Sequence, residues 1–148
     1  MLDKGVKFLL SPRQEAKPFH EEKTECLLYG DFMASTQEMP IFVRTFDMLT
    51  WLLPITNNFP RAHRHTATKR LLDAAFDLRE HLEAANHRMG AERMAFLRLA
   101  DEDLDNLRLY LRLAARWDWF KAGQYEHVAR MMAEIGRLLG GWIKVTHS

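Results

Sequence analysis

Arg61, His63, Arg64, His65, Lys69 and Arg70 all fall within residues 61–70, RAHRHTATKR, a stretch with no acid. Arginine presents a planar five-donor fork that suits phosphate and carboxylate, so this density of cations points to anion contact. Two further sets share regular spacing. Arg108, Arg112 and Arg116 recur every fourth position, and Arg130, Arg137 and Lys144 every seventh. On helices each set forms a stripe. Such stripes can neutralise a polynucleotide backbone, with affinity that falls as salt rises, but they can equally be ordinary solvated faces. Trp117, Trp119 and Phe120 follow Arg116 closely and could stack on bases, although Trp117 is expected in the core.

No arrangement points to catalysis. Asp101, Asp103 and Asp105 imitate the start of a calcium loop. Asn106 replaces the required glycine and Arg112 the closing carboxylate, which excludes an EF-hand. Within a helix these carboxylates read as a solvated face, with Asp105–Arg108 and Arg98–Glu102 as pairable neighbours. His81 and His87 are too far apart in helical phase to share a face, and no Glu-x-x-His pair supports a di-metal bundle site. Phosphate-binding glycine loops, nucleophile elbows and CxxC pairs are missing. The expectation is a binding protein with no catalytic residue, metal site or cofactor.

Such residues need a scaffold. The chain has 148 residues, 47% apolar and 28% charged, which suits one sizeable globular core rather than disorder. The lone Cys26 cannot form an internal disulfide. The apolar piece near the N-terminus is too short for a signal peptide, and no apolar run is long enough to span a bilayer. A cytoplasmic location is expected. The net charge of +1 hides an asymmetry. Residues 1–38 carry 5 Lys/Arg against 7 Asp/Glu, and the remainder carries 16 against 13, mostly as arginine.

Residues 1–37 read as an N-terminal extension without sustained periodicity, in which VKFLL and ECLLY could be short strands. Residues 38–148 read as an all-α domain, an up-down-up-down antiparallel four-helix bundle. The first helix places Phe42, Phe46, Leu49 and Leu53 on one face. It starts either at a Ser35–Glu38 capping box or with Pro40 at its first position, and Pro54 ends or kinks it. The second runs from about His63 to His87 on Leu71, Ala75, Leu78, Leu82 and Ala85, with Gly90 as a left-handed cap. The third runs to Arg116 on Leu97, Ala100, Leu104, Leu107, Leu111 and Ala114. The fourth carries Val128, Met131, Ile135, Leu138 and Trp142.

Two features suggest contacts beyond one bundle. Gly136 and Gly140 stack with Ala129 and Ala133 into a stripe almost without side chains, although each helical glycine costs roughly 1 kcal/mol relative to alanine. Close approach of another helix would compensate; fraying at a C-cap is the alternative, and suits Gly141 best. Apolar residues also exceed what one core needs. Ile41, Met48, Trp51, Leu52 and Ile55 lie on a second side of the first helix, and Phe96, Leu109, Tyr110, Leu113 and Trp117 on the third. Subunit contacts, with Trp51, Gly136, Gly140 and Trp142 as packing residues, or a thicker core under the extension, would cover them.

LPITNNFPRAHRHT (53–66), LRLYLRLAARW (107–117) and AEIGRLLGGWIK (133–144) resemble the accessory variability determinant family, Avd, of diversity-generating retroelements. The related ribosomal intervening-sequence proteins share its four-helix architecture. The resemblance spans roughly residues 39–144. It implies a homopentameric, basic, non-catalytic bundle that binds the retroelement's reverse transcriptase and template-repeat RNA during mutagenic cDNA synthesis. It also implies roles for Arg61, His63 and Arg64 at the basic start of the second helix, and for Arg137 in the closing motif. Arg108, Arg112 and Arg116 fall where the family has basic positions. The acidic DEDLDN segment and the −2 extension depart from a strongly basic pattern. An interaction oligomer of the intervening-sequence type, without nucleic acid, is the alternative.

Overall fold

The computed structural model describes residues 38–148; the extension with VKFLL, ECLLY, Cys26 and Ser35 lies outside the described residues. Four helices follow: α1 Pro40–Thr56, α2 Lys69–Asn86, α3 Gly90–Arg116 and α4 Gln124–His147. Each packs on its neighbours in sequence, and α4 closes back on α1. The register is antiparallel. Across α1 and α4, Arg44 meets Glu134 and Trp51 meets His127. Across α2 and α3, His81 meets Asp103. The all-α, up-down-up-down bundle expected from periodicity is the observed fold.

Pro40 opens α1, where its fixed φ helps and its missing N–H costs nothing. Pro54 sits in the last turn, and α1 stops two residues later. A tight turn, Arg61–His63, and a wide π-type turn, Arg64–Thr68, then lead into α2, which starts later than expected. Gly90 has φ +58°, the left-handed conformation anticipated for it. The end of α3 follows from local hydrogen bonding. Trp119 N–H donates to Ala114 O (3.0 Å) and Asp118 N–H to Ala115 O (3.1 Å), with Asp118 at φ 55°. This is a Schellman ending with aspartate where glycine is usual.

In α2 and α3 every residue of the expected seams is buried. In α1 the expected face is rotated. Ile41, Phe42, Thr45, Met48 and Leu52 are buried, whereas Phe46 is 64% exposed and Leu53 is also exposed. Ile41, Met48 and Leu52, read as a second, outward side, therefore form the core, whereas of the four residues read as core Phe46 and Leu53 point outward, Leu49 is half-buried and only Phe42 is fully inside. α1 is apolar on nearly all sides, so periodicity could not fix its phase. Thr45 hid the true face. Its hydroxyl donates to Ile41 O (2.8 Å) and accepts from Arg79 Nη1 (3.1 Å), which lets a polar residue sit inside. In α4 the buried seam is Val128, Met132, Ile135 and Leu139, while Met131, Leu138 and Trp142 lie half-buried at its edge. Trp142 meets Phe42 edge-on at 6.0 Å.

The glycine stripe is not uniform. At Gly136 a Cβ would collide with the Arg108 guanidinium, which lies across α4 at that point. At Gly140 and Gly141 a Cβ would meet nothing within 4 Å. Within one chain, close approach is thus confined to Gly136, and what it admits is a side chain, not a helix backbone.

Asp103 is not part of a solvated face. His81 Nδ1 lies 2.5 Å from its Oδ2, bracing α2 against α3. Burial pushes the Asp103 carboxyl above its ordinary value of 3.8, and the His81 hydrogen bond and charge only partly oppose this. The expected Asp105–Arg108 pair forms at 2.9 Å; no Arg98–Glu102 ion pair forms among the described residues.

Two outcomes follow. Gly140→Ala should raise the stability of the purified protein by about 0.5–1 kcal/mol in chemical denaturation, through helix propensity alone, since within one chain a Cβ there meets nothing. A loss would show that another copy packs against this position. For Asp103, a raised folded-state value means that the native state holds the proton more tightly than the unfolded chain. Its stabilising share is present below pH 3.8 and lost as pH rises through the raised value. Asp103→Asn should therefore flatten that part of the stability–pH curve, measured by denaturation across the acid range.

Candidate nucleic-acid interface

The connections α1–α2 and α3–α4 lie at the same end of the bundle, as antiparallel order requires. Phe59 joins them. It is only 4% exposed and packs against Trp119 (5.4 Å between ring centroids) and Phe120 (5.2 Å) of the other connection. The chain leaving Phe59 then enters the tight turn at Arg61–His63, with no acid before Lys69.

That turn sets His63 against two tryptophans. Its ring lies 5.1 Å from Trp119 at 23° and 6.4 Å from Trp117 at 15°, and the two indoles are 5.1 Å apart. The Schellman ending of α3 presents both indoles on one side. Trp117 is 51% exposed, contrary to its expected burial. It follows the last helical residue, beyond the reach of the α3 seam.

Arg61, Arg64 and His65 are exposed beside His63, and Arg116 and Lys121 are exposed on the other connection. Among the described residues none of these cations makes an ion pair. Lys69 and Arg70 differ. Lys69 Nζ is 2.6 Å from Asp73, and Arg70 lines a shallow groove of about 260 Å³ with Asp73, Asp77 and Asp103. These carboxylates compete with any phosphate there.

Apart from Arg116, the arginine stripes do not converge on this end. Arg108 is half-buried and paired with Asp105; with exposed Arg112 it lines a groove of about 700 Å³ between α3 and α4, floored by Ala129 and Ala133. Arg130 lines a separate groove between α1 and α4 with Trp51 and His127. Arg137 and Lys144 are exposed farther along α4. Of the sequence-selected residues, the structure groups His63, Trp117 and Trp119 in direct contact, with Arg61, Arg64 and Arg116 adjacent in the chain.

Sequence reasoning passed over Phe59, Asp118 and Arg79. A phenylalanine between Asn58 and Pro60 in an otherwise polar turn was a usable signal for the first. Arg79 could be read only as a helix-face partner of Glu83. In the fold it also donates to Phe42 O at 2.7 Å and lies over the Phe42 ring. Among the described residues no three His, Cys, Asp or Glu side chains gather as a metal site, and no helix is long and apolar enough to cross a membrane.

Comparison with known proteins gives the fold a lineage. No curated protein matches the chain significantly. A crystal structure of a protein of unknown function from the S23 ribosomal protein family of Bacteroides thetaiotaomicron is similar, with TM-score 0.64 and 17% identity, over 70% of this chain and 95% of that one. That likeness concerns the fold. A family model described as bAvd-like matches residues 39–146, spanning all four helices and both connections at the aromatic end. The chain belongs to the bAvd-like family.

Proposed function

We propose that this chain is a non-catalytic accessory subunit of a diversity-generating retroelement, an oligomer that binds the reverse transcriptase and its template RNA. The observation that carries the nucleic-acid part is the loop end, where Arg61, Arg64, Arg116 and Lys121 are exposed without ion-pair partners among the described residues. Family membership supplies the accessory role. Phosphate contacts of this kind position a polynucleotide and carry no sequence code. Template choice then lies with RNA shape and with the polymerase.

Arg61 and Arg64 are the centre of this surface. Arg70 and Lys69 contribute less, because carboxylates already face them. Arg112, Arg116 and Arg137 extend the positive surface along α3 and α4, while Arg108 is occupied by Asp105.

Assembly uses a different surface in this reading. Met39, Val43, Phe46 and Leu53 are exposed apolar residues spaced by 4, 3 and 7 from the start of α1, so they form one lateral stripe. A contiguous apolar stripe of this kind marks a protein interface. A second reading, an interaction oligomer without nucleic acid, is favoured by the near-neutral net charge of +1 and by the acidic groove around Asp77.

Two measurements separate these readings. Arg61→Glu combined with Arg64→Glu should lower RNA affinity at least about tenfold and flatten its salt dependence, with native mass unchanged. Unaltered RNA binding in titrations at low salt would overturn this surface, and no RNA binding by the natural chain would favour the second reading. Phe46→Asp should lower the native mass seen by light scattering while circular dichroism stays helical. A full-size particle from that variant removes α1 from the interface.

A further inference from the structure

The loop end holds an aromatic group that phosphate contact leaves unused. Trp117 is flanked by His63 (6.4 Å between centroids, near-parallel and offset) and by Trp119 (5.1 Å, tilted by 37°), and about half of the residue remains open. An exposed tryptophan is costly in water, and nothing in α3 requires one after Arg116. Phe59, Trp119 and Phe120 already close the end of the core.

We infer that Trp117 is a stacking platform for an unpaired nucleobase, so that this end of the bundle binds single-stranded rather than duplex nucleic acid. The inference rests on the nucleic-acid reading above and adds the ligand's class. Three observations carry it. First, the platform is preorganised. Trp117 lies within 15° of parallel to His63, and the backbone beneath it is fixed by the two hydrogen bonds that end α3. A ring held in place loses little freedom when a base settles on it.

Second, the charge is complementary to a chain of phosphates. Arg61 and Arg64 flank His63, Arg116 precedes Trp117, and Lys121 follows in the same connection. Asp118 is the one carboxylate in the two connections, and its backbone serves the left-handed position of the turn. A cationic surface around an aromatic face is the arrangement that grips single strands without reading sequence. Third, paired bases are stacked on one another and hide their faces, so a flat exposed indole selects strands whose bases are free. An acidic or apolar protein segment would use the cations or the ring, but the stacked geometry of His63 and Trp117 favours a planar aromatic ligand.

The test uses the full chain with short single-stranded RNA, single-stranded DNA of the same sequence, and an RNA duplex of equal length. Binding of either single strand should quench tryptophan fluorescence, and Trp117→Ala should remove most of that quenching. The same variant should weaken single-strand affinity about tenfold or more and leave duplex affinity unchanged. Trp117→Phe, which keeps a ring, should retain most of the affinity. Comparing the RNA and DNA arms shows which strand type the site takes. Loss of binding in Arg61→Glu/Arg64→Glu with none in Trp117→Ala would overturn the platform and keep the nucleic-acid reading. No binding of any probe by the natural chain would overturn both. A Trp117→Ala chain of altered native mass, or one that loses only reverse-transcriptase capture, would assign the ring to a protein contact and overturn the proposal.

Discussion

Phe59 is the constraint on which the loop end of the bundle depends. Two connections that are distant in sequence become one surface because a single buried ring is clasped by Trp119 and Phe120. Aromatic pairs of this geometry contribute about 0.5–1.5 kcal/mol each beyond the area they bury. That is enough to decide the position of a loop, whose alternatives differ by similar amounts. Once Phe59 is seated, the chain has little choice. Pro60 fixes the exit, the tight turn brings His63 onto the indoles, and the wide turn brings Thr68 inside before α2 begins. Arg61 and Arg64 face solvent, and of the two turns only Thr68 is buried.

Arginine composition alone could not separate cations that hold the bundle together from cations that face outward. Arg79 ties α2 to α1 through Phe42 O and Thr45. At the opposite end from the aromatic cluster, Arg88 donates to Ala84 O at 2.7 Å and covers Phe96, while Arg93 donates to Ala85 O at 3.1 Å. These two donate to carbonyls in the last turn of α2, which lack a partner four residues on within the helix; Ala85 O accepts from Arg88 N–H as well. Arg108 is spent on Asp105 and the gap at Gly136. The bundle therefore uses Arg79, Arg88, Arg93 and Arg108 as structural donors, while Arg61, Arg64 and Arg116 at the loop end and Arg112, Arg130 and Arg137 on the flanks face solvent without ion pairs among the described residues.

What could be read from the sequence follows from how many answers the pattern allowed. α2 and α3 repeat Leu and Ala in an unbroken 3-4 seam, so one phase stands out although Phe76, Leu99 and Leu109 lie outside it, and Leu71, Ala75, Leu78, Leu82 and Ala85 with Leu97, Ala100, Leu104, Leu107, Leu111 and Ala114 are buried as expected. α1 carries Phe46, Leu53, Met48 and Leu52 on different sides, so hydrophobicity alone permits two phases. The deciding interaction, Arg79 with Thr45 and Phe42, joins residues more than thirty positions apart and leaves no local trace. The end of α3 was legible as a turn but not as a Schellman motif, because aspartate stands at the left-handed position. For the candidate interface, the cationic stretch was legible. The acidic surroundings of Arg70 and the exposure of Trp117 depend on which helices are neighbours.

In the proposed reading, the separation of surfaces lets a chain with a net charge of only +1 serve a polyanion. The exposed apolar stripe of α1 runs along the side of the bundle, and the cations with the aromatic cluster lie at one end. Copies that associate through their sides around an axis parallel to the helices must all turn the same end to the same rim. The acidic groove between α2 and α3 then remains on the flanks, where it lowers the overall charge without entering the rim. Several weak single-strand sites on one such rim would act on one polymer as linked sites, and their effective concentration would multiply affinity without any new contact. Modest charge per chain is then compatible with firm binding by the assembly. The same reading gives reason for an exposed indole beside the arginines: stacking is far less weakened by salt than phosphate contact, so it would hold a strand where charge alone would let it slide.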